Sequence, residues 1–218
     1  MKDFSQIIVA LDGISKKDAL IMAKKLKGLV WGFKVNDLLF DSVSVIKELK
    51  KYGRVFADTK LHDIPNTVAN SVKRLSRTGV DMITVHALGG FKMMKAAKKF
   101  AGKSKIIAVT VLTSHGGNAK QDVVSLTKSA QKAGVDGIVC SAHEAPYVSK
   151  KLIRIVPGIR PIGYLLKDDQ KRIATPQEAI QSGADFLVIG RPITQSKNPV
   201  FATKQILTEI KHARITRS

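Results

Sequence analysis

Eight short apolar runs, rich in β-branched residues, recur along the 218-residue chain, each followed by a stretch with helical spacing. They are Ile7 to Leu11, Gly32 to Val35, Val55 to Ala57, Met82 to Val85, Ile106 to Leu112, Gly137 to Cys140, Leu152 to Val156 and Phe186 to Ile189. Runs this continuous suit strands buried on both faces, and strand-helix alternation builds parallel βαβ units. Between them, Ala19, Met22, Ala23 and Leu26, or Val43, Ile46 and Leu49, keep the spacing of one helix face. Three approaches to strands share a pattern: Arg77-Thr78-Gly79-Val80-Asp81, Lys132-Ala133-Gly134-Val135-Asp136 and Gln181-Ser182-Gly183-Ala184-Asp185. Each puts glycine where a helix should end in a left-handed cap.

A closed (β/α)8 TIM barrel, of the α/β class, is therefore expected, as a single domain over residues 1–218. With 44% hydrophobic residues the chain can bury one substantial core, and two full domains would be cramped. At less than the ~250 residues typical of this fold, its loops must be compact. An open doubly wound sheet is the alternative, but Leu11-Asp12-Gly13-Ile14 after the first run carries one glycine and no dinucleotide-binding fingerprint.

Charge is the anomaly of the composition: 37 lysines and arginines against 17 aspartates and glutamates, a formal +20. Such a balance attracts nucleic acid or anionic metabolites. The lysines are spread over nearly every expected helix, however, as at Lys16-Lys17, Lys50-Lys51 and Lys150-Lys151. Only 6% of residues are aromatic, which leaves few stacking platforms, so solvated helix faces are the expectation and nucleic acid is not an expected partner. No run reaches the ~18 apolar residues of a membrane span, and Met1-Lys2-Asp3-Phe4 leads into a strand rather than a secretory signal, so a soluble cytoplasmic protein is expected. The one cysteine, Cys140, lies in an apolar run and reads as a small buried side chain.

A (β/α)-barrel places its active site at the carboxyl ends of the strands, so polar residues that end apolar runs are the candidates. Asp12 ends the first run, Lys34 lies within the second, Asp58 and Lys60 end the third, His86 the fourth, Thr113 and Ser114 the fifth, and Gly190-Arg191 the eighth. A charge inside a buried strand is costly unless paired, so Lys34 requires a partner such as Asp58 or Asp12. Period-two geometry puts Asp58 and Lys60 on one side of an extended chain, with Asp63 shortly after. The set can hold a lysine charged, set a carboxylate beside a substrate and supply a proton to carbon; a purely structural salt-bridge network is the alternative. His86 is expected to be a hydrogen-bonded structural residue, and Pro65 to open a helix. Arg191, with Arg160 and Gln170 from the long loop before the last strand, offers donors for an anion where barrels of this kind bind phosphate.

The segment Asp58-Thr59-Lys60-Leu61-His62-Asp63-Ile64-Pro65-Asn66-Thr67 closely resembles the D-x-K-F-H-D-I-P-N-T motif of bacterial-type orotidine 5'-phosphate decarboxylases. Blocks similar to that family's recur in order along the chain. They include Leu11-Asp12, Phe33-Lys34-Val35, Val85-His86-Ala87, Thr113-Ser114, Pro157-Gly158-Ile159-Arg160-Pro161, Asp169-Gln170 and Ile189-Gly190-Arg191-Pro192-Ile193-Thr194. The resemblance implies decarboxylation of orotidine 5'-phosphate to uridine monophosphate in pyrimidine biosynthesis, without metal or organic cofactor. It implies Lys60 as proton donor to C6, Asp58 against the departing carboxylate, and Lys34 and Asp12 at the ribose. It also implies Asp63, Ile64 and Thr67 among the substrate contacts, with Asp63 and Thr67 reaching the neighbouring subunit's site in a homodimer. Thr113 and Ser114 would lie at the pyrimidine, and Arg160, Gln170, Gly190 and Arg191 would grip the phosphate.

Departures from the family pattern are few: Asn36 stands where a glycine is usual, Leu61 replaces phenylalanine, and Tyr164-Leu165-Leu166-Lys167 fills a loop that is often small and polar. Metal-dependent members of the wider suprafamily, such as 3-keto-L-gulonate 6-phosphate decarboxylases and hexulose phosphate synthases, carry an additional glutamate near the second strand. Lys34 at the equivalent position favours the metal-free site.

Overall fold

The computed structural model describes residues 5–110, 120–164 and 173–215. Eight parallel strands follow one another in chain order and close into a barrel. They are β1 (Ile7–Ala10), β2 (Gly32–Val35), β3 (Arg54–Leu61), β4 (Met82–His86), β5 (Lys105–Val109), β6 (Gly137–Val139), β7 (Ile153–Val156) and β8 (Phe186–Ile189). Closure is direct, with β1 pairing to β2 on one side through Ile8 and Gly32 and to β8 on the other through Ile8 and Val188. Around the sheet lie α1 (Lys16–Leu26), α2 (Leu38–Asp41), α3 (Ser44–Leu49), α4 (Pro65–Ser76), α5 (Gly90–Phe100), α6 (Lys120–Ala133), α7 (Pro176–Gln181), α8 (Arg191–Thr194) and α9 (Pro199–Ile215). The expected TIM barrel is present, and no helix among the described residues is long and apolar enough to cross a membrane.

Strand alternation sorts the side chains into two apolar layers. Ile8, Trp31, Phe56, Met82, Ile107, Ile155 and Val188 pack together inside the barrel. Ile7, Val9, Phe33, Val35, Val55 and Ala57 face outward to the helices, where α1 contributes Ala19, Ala23 and Leu26. Each large aliphatic or aromatic side chain so buried contributes ~1.5–3 kcal/mol before conformational entropy is counted. The same alternation turns Lys34 and Asp58 to the inside. Val43 departs from the expected helix face: it precedes α3 and is exposed, while Val45 takes the buried position beside Ile46 and Leu49. Cys140 is buried as expected, and burial, with the Glu144 carboxylate adding to it, pushes its thiol up to about 12, far from nucleophilic use.

The three repeated approaches to strands do more than end helices. Gly79, Gly134 and Gly183 have φ of 82°, 80° and 99°, the left-handed region that glycine enters without a Cβ penalty. The aspartate two residues on then accepts a backbone N–H from the preceding strand. Asp81 takes Val55 at 2.8 Å, Asp136 takes Ile106 at 2.8 Å and Asp185 takes Arg154 at 2.8 Å. Each carboxylate also holds a cation: Lys50, Lys98 and Arg154 respectively. These pairs stitch β3 to β4, β5 to β6 and β7 to β8 at the amino-terminal end of the barrel. Asp136→Ala leaves the Ile106 N–H and the Lys98 ammonium without this acceptor, and should destabilise the barrel by about 1–3 kcal/mol. Urea unfolding checks it; a midpoint unchanged from wild type would remove the stitch from the stability of the fold.

Candidate functional site

A cavity of about 550 Å³ opens at the carboxyl ends of the strands, where the expected residues Asp12, Lys34, Asp58, Lys60, Arg160, Gly190 and Arg191 all line it. The first four form a chain of alternating charge. Lys34 Nζ lies 2.6 Å from Asp12 Oδ2 and 3.1 Å from Asp58 Oδ2. Lys60 Nζ approaches the same Asp58 oxygen at 2.7 Å. One carboxylate oxygen is thus shared by two ammonium groups. Exposure grades along the chain: the side chains of Lys34 and Asp58 are 9% and 11% exposed, whereas Lys60 and Asp12 reach 36% and 45%. Asp58 is the buried anchor, and Lys60 and Asp12 are the members more open to the cavity.

Burial alone would raise the Asp58 carboxyl, but Lys34 and then Lys60 outweigh it and hold its pKa below the ordinary aspartate value. Burial likewise penalises the Lys34 ammonium, and Asp58 and Asp12 more than offset that, raising its pKa. Both groups are therefore charged across the neutral range. The Asp58 contribution to stability is lost only as pH falls through its depressed pKa, and the Lys34 contribution only as pH rises through its raised one.

The position of Lys60 depends on a local break in β3. Pairing with β4 shifts register between Ala57 and Leu61, and Lys60 has φ of 46°, unusual for a residue with a side chain. Thr84 of β4, fully buried, stabilises this conformation: its Oγ1 accepts the Lys60 backbone N–H at 2.7 Å and donates to Asp58 Oδ1 at 3.0 Å. Thr59 donates its hydroxyl to the Thr84 carbonyl at 3.1 Å. Asp58 and Lys60 do face the same way, but through this bulge and not through the regular extended strand expected from their spacing. Asn36 donates to the Asp58 carbonyl at 2.6 Å, so the departure at that position serves the site, and Asp37 accepts the Gly13 N–H at 2.9 Å.

Thr84 and Asn36 were not among the expected site residues. Thr84 sits inside an apolar strand run, where a single threonine carries no distinguishing signal. Thr194 and Gln195 also line the cavity, and Thr194 closes the segment Ile189-Gly190-Arg191-Pro192-Ile193-Thr194. Arg160 donates from Nη1 to the Ile159 carbonyl at 2.8 Å and lies 5.6 Å over the Tyr164 ring, which fixes its guanidinium at the cavity wall.

Asp63, Ile64 and Thr67 do not line this cavity. They lie exposed on the turn from β3 into α4 and at its first turn; Ile64 is 66% exposed, and Asp63 Oδ1 accepts the Ile64 N–H at 2.6 Å. Thr113, Ser114 and Gln170 lie outside the described residues. His86 accepts the Leu88 N–H at Nδ1 and stacks on His62 with ring centroids 5.4 Å apart. Burial, helped by His62 and Lys60, lowers its pKa, which favours the neutral imidazole. Among the described residues, no group of three or more His, Cys, Asp or Glu side chains comes together in a way that could hold a metal ion.

Comparison with known proteins gives a consistent result. The family model for orotidine 5'-phosphate decarboxylase / HUMPS matches residues 5–206. Orotidine 5'-phosphate decarboxylase of Geotalea daltonii is 41% identical, over 94% of this chain and 96% of its own length. That of Idiomarina loihiensis is 42% identical over 94% and 97%. Among solved structures, orotidine 5'-phosphate decarboxylase from Lactobacillus acidophilus superposes with a TM-score of 0.79 at 35% identity, covering 94% of this chain and 99% of that one. On that coverage and those identities, the chain belongs to the orotidine 5'-phosphate decarboxylase / HUMPS family.

Proposed function

We propose that the protein is a carboxy-lyase that converts orotidine 5'-phosphate to uridine 5'-phosphate and carbon dioxide in pyrimidine biosynthesis, using its own side chains without metal or organic cofactor. The observation that carries this reading is the Asp12–Lys34–Asp58–Lys60 array, whose two carboxylates and two ammonium groups meet at one end of a cavity also lined by Arg160 and Arg191. The array is balanced in charge, so the arginines leave a net positive cavity suited to a phosphorylated substrate. The named activity of the relatives supports the same reading.

The difficulty of the reaction lies in its intermediate. Heterolysis of the bond from C6 to the carboxylate releases carbon dioxide and leaves the electron pair on a ring carbon that has no electron sink. A fixed ammonium beside that carbon stabilises the developing charge and then delivers its proton to C6. Lys60 has the access for this, and the neutral amine regains a proton from solvent. Asp58, already held as an anion, faces the substrate carboxylate; their repulsion is relieved as neutral carbon dioxide departs. Lys34 and Asp12 contact the ribose hydroxyls. Arg160, Gly190, Arg191 and Gln170 hold the phosphate, whose binding energy is used at the distant reacting carbon. Thr113 and Ser114 contact the pyrimidine.

We read the working unit as a cytoplasmic homodimer of single-domain barrels. Asp63, Ile64 and Thr67 are exposed beside the site they adjoin in sequence, and that placement supports a role across a subunit boundary. The metal-dependent reactions of the wider suprafamily fit less well, because Lys34 fills the second-strand position and pairs with both nearby carboxylates.

Chelator-treated protein should consume orotidine 5'-phosphate, read as loss of its absorbance, and Lys60→Ala should abolish turnover while phosphate-dependent binding persists. Absence of turnover in the chelated wild type would exclude the reading, and substantial activity in Lys60→Ala would displace Lys60 from its role. Thr84→Val should lower kcat about tenfold to a hundredfold with little change in KM, and Thr84→Ser should restore most of it. A loss of thermal stability with kcat intact would make Thr84 merely structural. Inactive Asp58→Ala and Asp63→Ala subunits, mixed, should regain activity if each site draws on two chains; a mixture as inactive as its parents would refute the shared site.

A further inference from the structure

A second cavity, of about 650 Å³, opens at the opposite end of the barrel, among the residues that begin the strands. Its floor is apolar: Trp31 just before β2, Met82 at the start of β4, Ile153 at the start of β7 and Phe186 at the start of β8. Trp31 and Phe186 meet edge to face with centroids 5.3 Å apart. The cationic residues Lys50, Arg54, Arg77, Lys103 and Lys105 also line it, against one carboxylate, Asp81. That carboxylate is committed to Lys50 at 2.8 Å and to the Val55 N–H.

The contrast with neighbouring cations at the same end is informative. Lys98 pairs with Asp136 and Arg154 with Asp185, as a face built for stability alone would arrange. Arg77, Lys103 and Lys105 have no such partner among the described residues. The Arg54 guanidinium stands 5.5 Å over the Trp31 ring, and the Trp31 indole N–H is buried with no hydrogen-bond acceptor among the described residues, in a residue only 6% exposed. Like charges gathered around a concave apolar floor repel one another and focus a positive potential into it. A ligand with several negative charges removes the repulsion, and a flat ring suits the aromatic floor. The volume falls within the ~300–1,000 Å³ of small-molecule sites.

We propose that this amino-terminal cavity is a second ligand site, separate from the carboxyl-end site, for a small organic polyanion of the nucleoside polyphosphate type. Arg77, Lys103 and Lys105 take the phosphates, Arg54 bridges the charged and aromatic parts, and the ring lies toward Trp31 and Phe186.

Trp31 is the only tryptophan of the chain, so its emission reports on this end of the barrel and not on the other. Titration of the intact protein with uridine triphosphate at low ionic strength should give a saturable change in that emission, confirmed by calorimetry. Affinity should fall at least about tenfold in an Arg77→Ala/Lys103→Ala double variant. Both positions are exposed, and the double variant should keep its fold by thermal unfolding and its wild-type turnover. Lys60→Ala should bind as the wild type does. Inorganic tripolyphosphate should bind more weakly than the nucleotide; equal binding would overturn the assignment of a ring to the floor. No saturable response by either method, undiminished affinity in the double variant, or loss of binding in Lys60→Ala would overturn the site itself. So would binding of single-stranded RNA with no response to the nucleotide.

Discussion

The carboxylate of Asp58 sits where the barrel core gives way to the cavity, largely buried and held as an anion by Lys34 and Lys60. Isolated, a charge at that depth would neutralise or unfold its surroundings; removing one partner from a buried pair typically costs ~3–5 kcal/mol. Much of the neighbourhood follows from keeping it ionised. Lys34 can occupy the inner face of a buried strand because Asp58 and Asp12 flank it. Lys60 can take a left-handed backbone because Thr84 supplies both an acceptor for its N–H and a donor to the second Asp58 oxygen. The array is thus a single electrostatic unit distributed over the turn beyond β1, β2 and β3, and the parallel pairing of β1 with β2 and of β2 with β3 is what brings its members together.

The two ends of the barrel solve the problem of charge differently. At the carboxyl end, acids and bases alternate and neutralise one another, which leaves the arginines to supply the excess positive potential of the cavity. At the amino end, three aspartates placed after left-handed glycines accept strand N–H groups and pair with Lys50, Lys98 and Arg154. That end is mechanically ordered but electrostatically unfinished, because the cations of the α4–β4 and α5–β5 connections outnumber the acids near them. Part of the +20 formal charge is therefore concentrated around a concavity and not merely spread over solvated helix faces.

The eight strands, the barrel class and the membership of Asp12, Lys34, Asp58, Lys60, Arg160 and Arg191 in one mouth were legible in the sequence. Apolar runs and left-handed glycines are local signals, and polar residues at run ends can converge only at one end of such a fold. Even the pairing of Lys34 was legible, since a buried lysine has few affordable alternatives to a carboxylate partner. What the chain order could not show was the bulge at Lys60, the use of Thr84 and Asn36 as supports, and the gathering of Arg54, Arg77, Lys103 and Lys105 around Trp31. These join residues on neighbouring strands or in separate loops. They depend on strand register and barrel closure, which place distant residues within hydrogen-bond reach without leaving any local pattern at either one. The sequence by itself determined which side chains face inward and which end of the barrel carries the acid-base array, because the first follows from the period of the strand and the second from the polar residues that end the apolar runs; only the tertiary structure decided how Lys60 is aimed and that the other end holds a cationic cavity.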